Sequence, residues 1–176
     1  MATTISFPTA VIDPDSTNAH NCFADDGVNT LALPQIGNDI TWSTFTGLSI
    51  PAGATIDGIE IICEATSNSY NQSPDFAVYN GAWSSFQNCV DHWENKSWAT
   101  KDPGWGANND LWGLTWTPTS AANIAIKVDL SVMTSGRIMY MDFLQVRVTY
   151  TPGIISNGKI TLSSGLIQLT SGKISL

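Results

Sequence analysis

The residues able to do chemistry in this chain are few and scattered. Its two histidines, His20 and His92, lie far apart, and neither has a second ligand at the short spacing of a zinc site. There is no glycine-rich phosphate loop, no G-x-S-x-G turn to expose a nucleophilic serine, and no H-E-x-x-H pair. Asp25-Asp26-Gly27 offers hard carboxylate oxygens of the kind calcium takes. A calcium loop needs more ligands at fixed spacing and none follow, so the segment reads as a tight turn. Carboxylate pairs for sugar hydrolysis meet only in the fold, and Asp91, Glu94, Asp102 and Asp110 are the pool from which one would come. On this reading the chain is not an enzyme, carries no metal ligand set and needs no cofactor.

The tryptophans are the stronger signal. Trp83, Phe86, Trp93, Trp98 and Trp105 sit among Asn, Ser, Asp and Gly between Asn80 and Asp110, a stretch predicted to form long loops over one edge of the domain, and Trp93, Trp98 and Trp105 lie in its most polar parts. Flat aromatic faces beside polar groups stack on sugars, and they also anchor protein interfaces. These three are therefore the candidates for contact with glycan or with another subunit. Trp112 and Trp116 flank Gly113-Leu114-Thr115 in a predicted short strand and are assigned to the core. The three cysteines, Cys22, Cys63 and Cys89, are odd in number and widely spaced, which is neither a disulfide framework nor a CxxC metal site. They read as thiols in or near the core, with an intermolecular bond in an assembled particle as the alternative.

The elements that must position these residues are strands. Turn signals recur throughout, at Asp13-Pro14, Asp25-Asp26-Gly27, Pro51-Ala52-Gly53, Ser73-Pro74, Asp102-Pro103-Gly104, Thr117-Pro118 and Thr151-Pro152. Between them apolar residues alternate. Ile59, Ile61, Cys63 and Ala65 fall on one face, as do Ile124, Ile126, Val128 and Leu130. In the last long strand, Ile138, Tyr140, Leu144, Val146 and Val148 share a parity opposite to Met139, Met141 and Phe143, and Asp142 interrupts the apolar face, a sign of a bulge or a polar contact. Two-residue periodicity puts one side of each strand on a core and the other in water. No stretch holds a convincing 3.6-residue apolar period, and Ser120–Ile126 reads as a turn leading into a strand. Many short strands with Gly and Pro turns predict an all-β fold, an antiparallel β-sandwich or jelly roll.

A repeat closes the sequence. Ser156-Asn-Gly-Lys-Ile-Thr-Leu162 is followed by Ser163-Ser-Gly-Leu-Ile-Gln-Leu169 and Thr170-Ser-Gly-Lys-Ile-Ser-Leu176. The recurring Gly and Ser/Thr are poor helix material, so each unit reads as a turn and a four-residue strand. Ile160 and Leu162 share a face, as do Ile167 with Leu169 and Ile174 with Leu176. Three such strands bury too little to stand alone. They dock on their own sandwich or pair with the same segment of neighbouring chains, as a trimer would allow. The predicted organisation is an N-terminal arm (1–15), a sandwich (16–151) and a β-repeat assembly tail (152–176).

Charged residues are 12% of the chain, about half the usual share, while hydrophobic residues are 43%. A surface built from Ser, Thr, Asn and Gly suits packing against other subunits, because few charges must be desolvated. The net charge of −8, with the basic residues scattered, argues against nucleic-acid binding and against an anionic membrane surface. Residues 1–10 lack the basic start and apolar core of an export signal, and no apolar run approaches the roughly 18 residues of a membrane span. The expectation is a soluble protein made in a cytoplasm.

Several segments resemble a family of bacteriophage structural proteins. Phe45-Thr-Gly-Leu-Ser-Ile-Pro-Ala-Gly-Ala-Thr-Ile-Asp-Gly-Ile-Glu60 is similar to that family's IPxGATIxGI segment, and Asp110-Leu-Trp-Gly-Leu-Thr-Trp-Thr-Pro118 to its DLWGxTWTP turn. Asn21-Cys-Phe-Ala-Asp-Asp-Gly27 and Val146-Arg-Val-Thr-Tyr150 also fit, so the resemblance spans about residues 10–150 and leaves out the tail. It implies a virion-surface β-sandwich, as in head decoration proteins, head fibres and tail fibres. Pro51 and Gly53 would make the turn, and Ile56, Ile59 and Ile61 would supply core. It implies no catalytic residues. Together with composition, it leads to the expectation of a capsid decoration (cement) protein that stabilises the outer head surface, bound to the major capsid protein or other virion proteins and forming a homotrimer. A fibre module binding host surface glycan is the alternative. A secreted carbohydrate-binding module or enzyme fragment is a third class, disfavoured by the absence of an export signal.

Overall fold

The computed structural model of the chain describes residues 1–12, 19–27, 30–34, 40–68, 74–88, 98–129, 132 and 138–153. The alternating segments form strands: β1 (Ala2–Ser6), β2 (Pro8–Ile12), β3 (Thr30–Pro34), β4 (Ile40–Phe45), β5 (Thr55–Ser67), β6 (Asp75–Tyr79), β7 (Gln87–Asn88), β8 (Ala99–Ala107), β9 (Ala125–Asp129) and β10 (Ile138–Thr151). A 3-10 turn covers Ala19–Phe23, and a one-turn helix, α1, covers Pro118–Ala122. That helix starts where Thr117 caps it, with Ser120 returning the hydrogen bond and Pro118 in the first turn, so the segment read as a turn is a capped helical turn.

All strand pairs are antiparallel. The first sheet has the order β1-β10-β5-β8, and β3 shares the edge of β10 with β1, pairing at the opposite end of that long strand. The second sheet is β2-β4-β9-β6-β7. Successive strands mostly cross from one sheet to the other, so neighbours within a sheet are distant in sequence. This is the interleaving of a jelly roll, and the two sheets bury their inner faces against each other.

The boundary expected at residue 15 is not a domain boundary. Ala2–Ser6 pairs with Val146–Tyr150 in the first sheet, and Pro8–Ile12 pairs with β4 in the second. Residues 2–12 are integral strands rather than an arm.

Three irregularities set which residues reach the core. In β5, Thr149 faces Gly58 but Tyr150 faces Ile56, so Asp57 is an extra residue. Ile56 and Ile59 both reach the core despite their odd spacing. In β10, Met141 faces Ala65 and Phe143 faces Glu64, which makes Asp142 the extra residue. Met139 and Met141 are core before it, and Leu144, Val146 and Val148 after it. Strict alternation had grouped Ile138 and Tyr140 with Leu144; the bulge reverses the parity, and those two are only half-buried. In β8, Trp105 faces Ile61 while Lys101 faces Cys63, so Asp102, Pro103 and Gly104 stand against Ile62 alone and the strand carries two extra residues there.

Both motifs behind the phage resemblance are turns locked onto β5. The Ala54 N–H donates to the Pro51 carbonyl at 3.1 Å, and Gly53 sits at φ 83°, as a type II turn requires at that position. In Asp110–Pro118, Trp112 and Gly113 both have positive φ, and the Leu114 N–H closes the turn on the Leu111 carbonyl at 3.0 Å. The Trp112 indole donates to the Ile59 carbonyl at 2.8 Å, and the Trp116 indole to the Leu111 carbonyl at 3.0 Å. Both rings are core, as expected, but the segment between them is a turn, not a strand. Gly58 allows this approach, since a Cβ there would run into the Asn108 carbonyl.

Candidate functional site

The outer face of the second sheet carries an exposed aromatic cluster. Phe76 and Val78 of β6 point into the core, which turns Tyr79 outward. The chain reverses through Asn80-Gly81-Ala82, and Trp83 returns to bridge Tyr79. Their rings lie 5.1 Å apart at 50°. Lys127 of β9 places its ammonium 4.9 Å from the Trp83 ring centre and 4.8 Å from that of Phe86. Such contacts are worth about 0.5–1 kcal/mol each at an exposed site and hold the rings in place. Tyr79, Trp83 and Phe86 keep 36–38% of their surface exposed. The arrangement can stack on a flat apolar face, of a sugar or of another protein.

The three tryptophans singled out from sequence part company. Trp98 is 40% exposed at the start of β8. Trp105 is wholly buried: it lies in β8 facing Ile61, and its ring sits 4.2 Å from Phe76 of the opposite sheet. It is a core residue bridging the two layers and not a loop residue. Trp93 lies outside the described residues, as do the six tail positions Ile160, Leu162, Ile167, Leu169, Ile174 and Leu176. Trp83 and Phe86 belong to the same aromatic stretch but, like Tyr79, are not among the contact candidates that sequence singles out. Their signal was the Gly81 turn after an alternating strand, which brings the second aromatic back beside the first.

Two members of the carboxylate pool hold structure together. Asp110 accepts from the Trp112 backbone N–H at 2.7 Å and from the Gln87 side chain at 2.9 Å. Asp102 meets the Arg147 guanidinium at 2.7 Å. That guanidinium also binds Glu60, itself 5% exposed, through Nε at 2.8 Å and Nη2 at 3.1 Å. The forked contact to Glu60 is the main reason Arg147 is held in its charged form above the usual range. Asp91 and Glu94 lie outside the described residues, as do His92 and Cys89; Cys22 and Cys63 are buried.

A second polar site lies on the outer face of the first sheet, at the β10 bulge. Carboxylate oxygens of Asp25, Glu64 and Asp142 all lie within 4.8 Å of one another. Asp25 is exposed on the loop after the 3-10 turn; Glu64 is half-buried on β5, and Asp142 is buried on β10. Gly27, in a left-handed conformation, turns the loop so that its N–H donates to Asp142 Oδ2 at 3.2 Å. The Glu64 carboxyl is pushed above its ordinary value, first by burial and then by the charges of Asp142 and Asp25, against a smaller opposing hydrogen bond with Thr100. The Asp25–Gly27 segment is thus a turn, as read from sequence, but it also meets two carboxylates brought from distant strands.

Compared with known proteins, the chain matches no protein-family model and no curated protein.

Proposed function

We propose that this chain is a structural, non-enzymatic protein of a bacterial virus particle, and within that class a decoration protein of the head. The observation that carries this reading is where the jelly roll is completed. Among the described residues both sheets are built from strands that lie between Ala2 and Thr151, and the repeat from Ser156 to Leu176 follows the last of them in sequence. Its six aliphatic side chains then supply apolar faces for pairing between copies, which in a closed ring also removes strand edges. The low charge supports the same reading, since contacts with a shell would desolvate few ionic groups. The mechanism is mechanical. A protein that binds the assembled shell better than its parts stabilises the shell by the difference in binding free energy.

The test is the solution mass of the full chain beside a chain ending at Gly153, by light scattering. The expected result is a trimer for the first and a monomer for the second. Two monomers would reject assembly through the tail.

A second reading, a fibre module that binds host glycan, is favoured by one observation: Tyr79, Trp83, Phe86 and Trp98 are exposed. It differs in outcome. Bacterial surface polysaccharides would quench the tryptophan fluorescence, and Trp83→Ala would abolish the quenching. Decoration gives no quenching by any of them.

A further inference from the structure

We infer that Asp25, Glu64 and Asp142 form a binding site for one calcium ion, which ties the Asp25–Gly27 loop to the first sheet at the β10 bulge. Three observations combine. The first is convergence: an exposed loop and two neighbouring strands deliver one carboxylate oxygen each into a space no wider than 4.8 Å. Oxygens within that limit of one another can all lie ~2.4 Å from a single calcium ion placed between them.

The second is an unpartnered atom. Asp142 is 4% exposed, its Oδ2 takes the Gly27 N–H, and its Oδ1 is buried with no hydrogen-bond partner. A buried carboxylate oxygen left without a partner is costly, and an adjacent cation removes that cost. The third is the backbone. The extra residue at position 142 re-aims the chain in the middle of a long strand, and bulges are used to re-aim a side chain beside a site. Hard oxygen donors without sulfur or imidazole select calcium or magnesium over zinc, and three carboxylates favour calcium, since magnesium gives up its water reluctantly and is usually held by one or two.

This inference is independent of the virion reading and its test does not involve assembly. The full chain is stripped of metal with a chelator, exchanged into 0.15 M NaCl at neutral pH, and titrated with calcium chloride by calorimetry. One ion binds per chain, with a Kd between about 10⁻⁵ and 10⁻³ M. Calcium raises the melting temperature in proportion to its saturation of the site, and magnesium at equal concentration raises it less. Asp25 is exposed and its charge repels that of Glu64, so Asp25→Asn does not lower the metal-free melting temperature and weakens calcium binding at least tenfold. Glu64→Gln removes a charge that burial and Asp142 disfavour, so it too does not lower the metal-free melting temperature while weakening calcium binding, and it covers the case in which Asp142→Asn fails to fold. Absence of calcium heat and of a melting shift up to 10 mM would overturn the site. So would binding that survives at full strength in both Asp25→Asn and Glu64→Gln. An equal response to magnesium would overturn the preference for calcium.

Discussion

Trp98 and Trp105 are the same residue type seven positions apart, yet the fold uses them oppositely. Trp105 has no exposed surface and packs on Phe76 across the sandwich, so truncation opens a cavity between the sheets. Trp105→Ala is expected to lower unfolding free energy by about 3–5 kcal/mol, measured by urea denaturation. Trp98→Ala, at 40% exposure, should change it by no more than about 0.5 kcal/mol. The reverse order would mean that the loop assignment of Trp105 was right. Sequence hid this burial for a physical reason. Asp102, Pro103, Gly104 and Gly106 surround Trp105 with residues that signal a loop, but two of them are the extra residues of an irregular strand and one approaches a carbonyl where no Cβ fits. The acidic cluster was hidden differently. Gly27 and Asp142 are 115 residues apart in sequence, and only register brings them together. Two traces were legible separately: Asp142, a charge interrupting an apolar face, and the carboxylates of Asp25-Asp26-Gly27, which alone read as a turn.

At the scale of the strand, alternation made β5, β9 and β10 legible and the Pro51–Gly53 turn legible with them. Bulges were not legible in detail, because one inserted residue changes the parity of everything beyond it. Strand pairing also sets charges against each other. Asp75 of β6 stands directly opposite Asp129 of β9. The Asp75 carboxyl is raised above its ordinary value, first by burial and then by that neighbouring charge. An acid with a higher pKa in the folded than in the unfolded chain binds its proton more tightly when folded. Stability is therefore fully present below the unfolded value, near 3.9, and falls as pH rises from there through the raised folded value. Asp75→Asn removes the penalty. It is expected to add about 0.2–1 kcal/mol at pH 7, the range for cross-strand pairs, and to make no difference at pH 3. Urea denaturation at the two pH values checks this; an equal gain at both would assign the effect to packing instead of charge.

At the scale of the whole molecule, β10 spans both proposed sites. Its bulge holds Asp142, and its end at Thr151 lies where Tyr150 pairs with Ala2, so the chain leaves the sandwich beside its first strand. From Asp142 to Thr151 the strand runs roughly 30 Å at about 3.3 Å per residue. The tail junction at the end of β10 and the acidic cluster inside it are thus well separated along one strand, with no shared side chain. This makes the consequence of removing the tail specific. Every described strand lies at or before Thr151, and Gly153 still packs against the Gly53 carbonyl, so the chain ending at Gly153 keeps all of these contacts. It is expected to keep its urea midpoint as well as its calcium response, within error of the full chain measured below the association concentration, while its mass drops from trimer to monomer. If the midpoint falls along with the mass, the repeat docks on its own sandwich and contributes to that fold. If the mass falls and the midpoint holds, the jelly roll is a self-sufficient unit and the repeat acts only between copies.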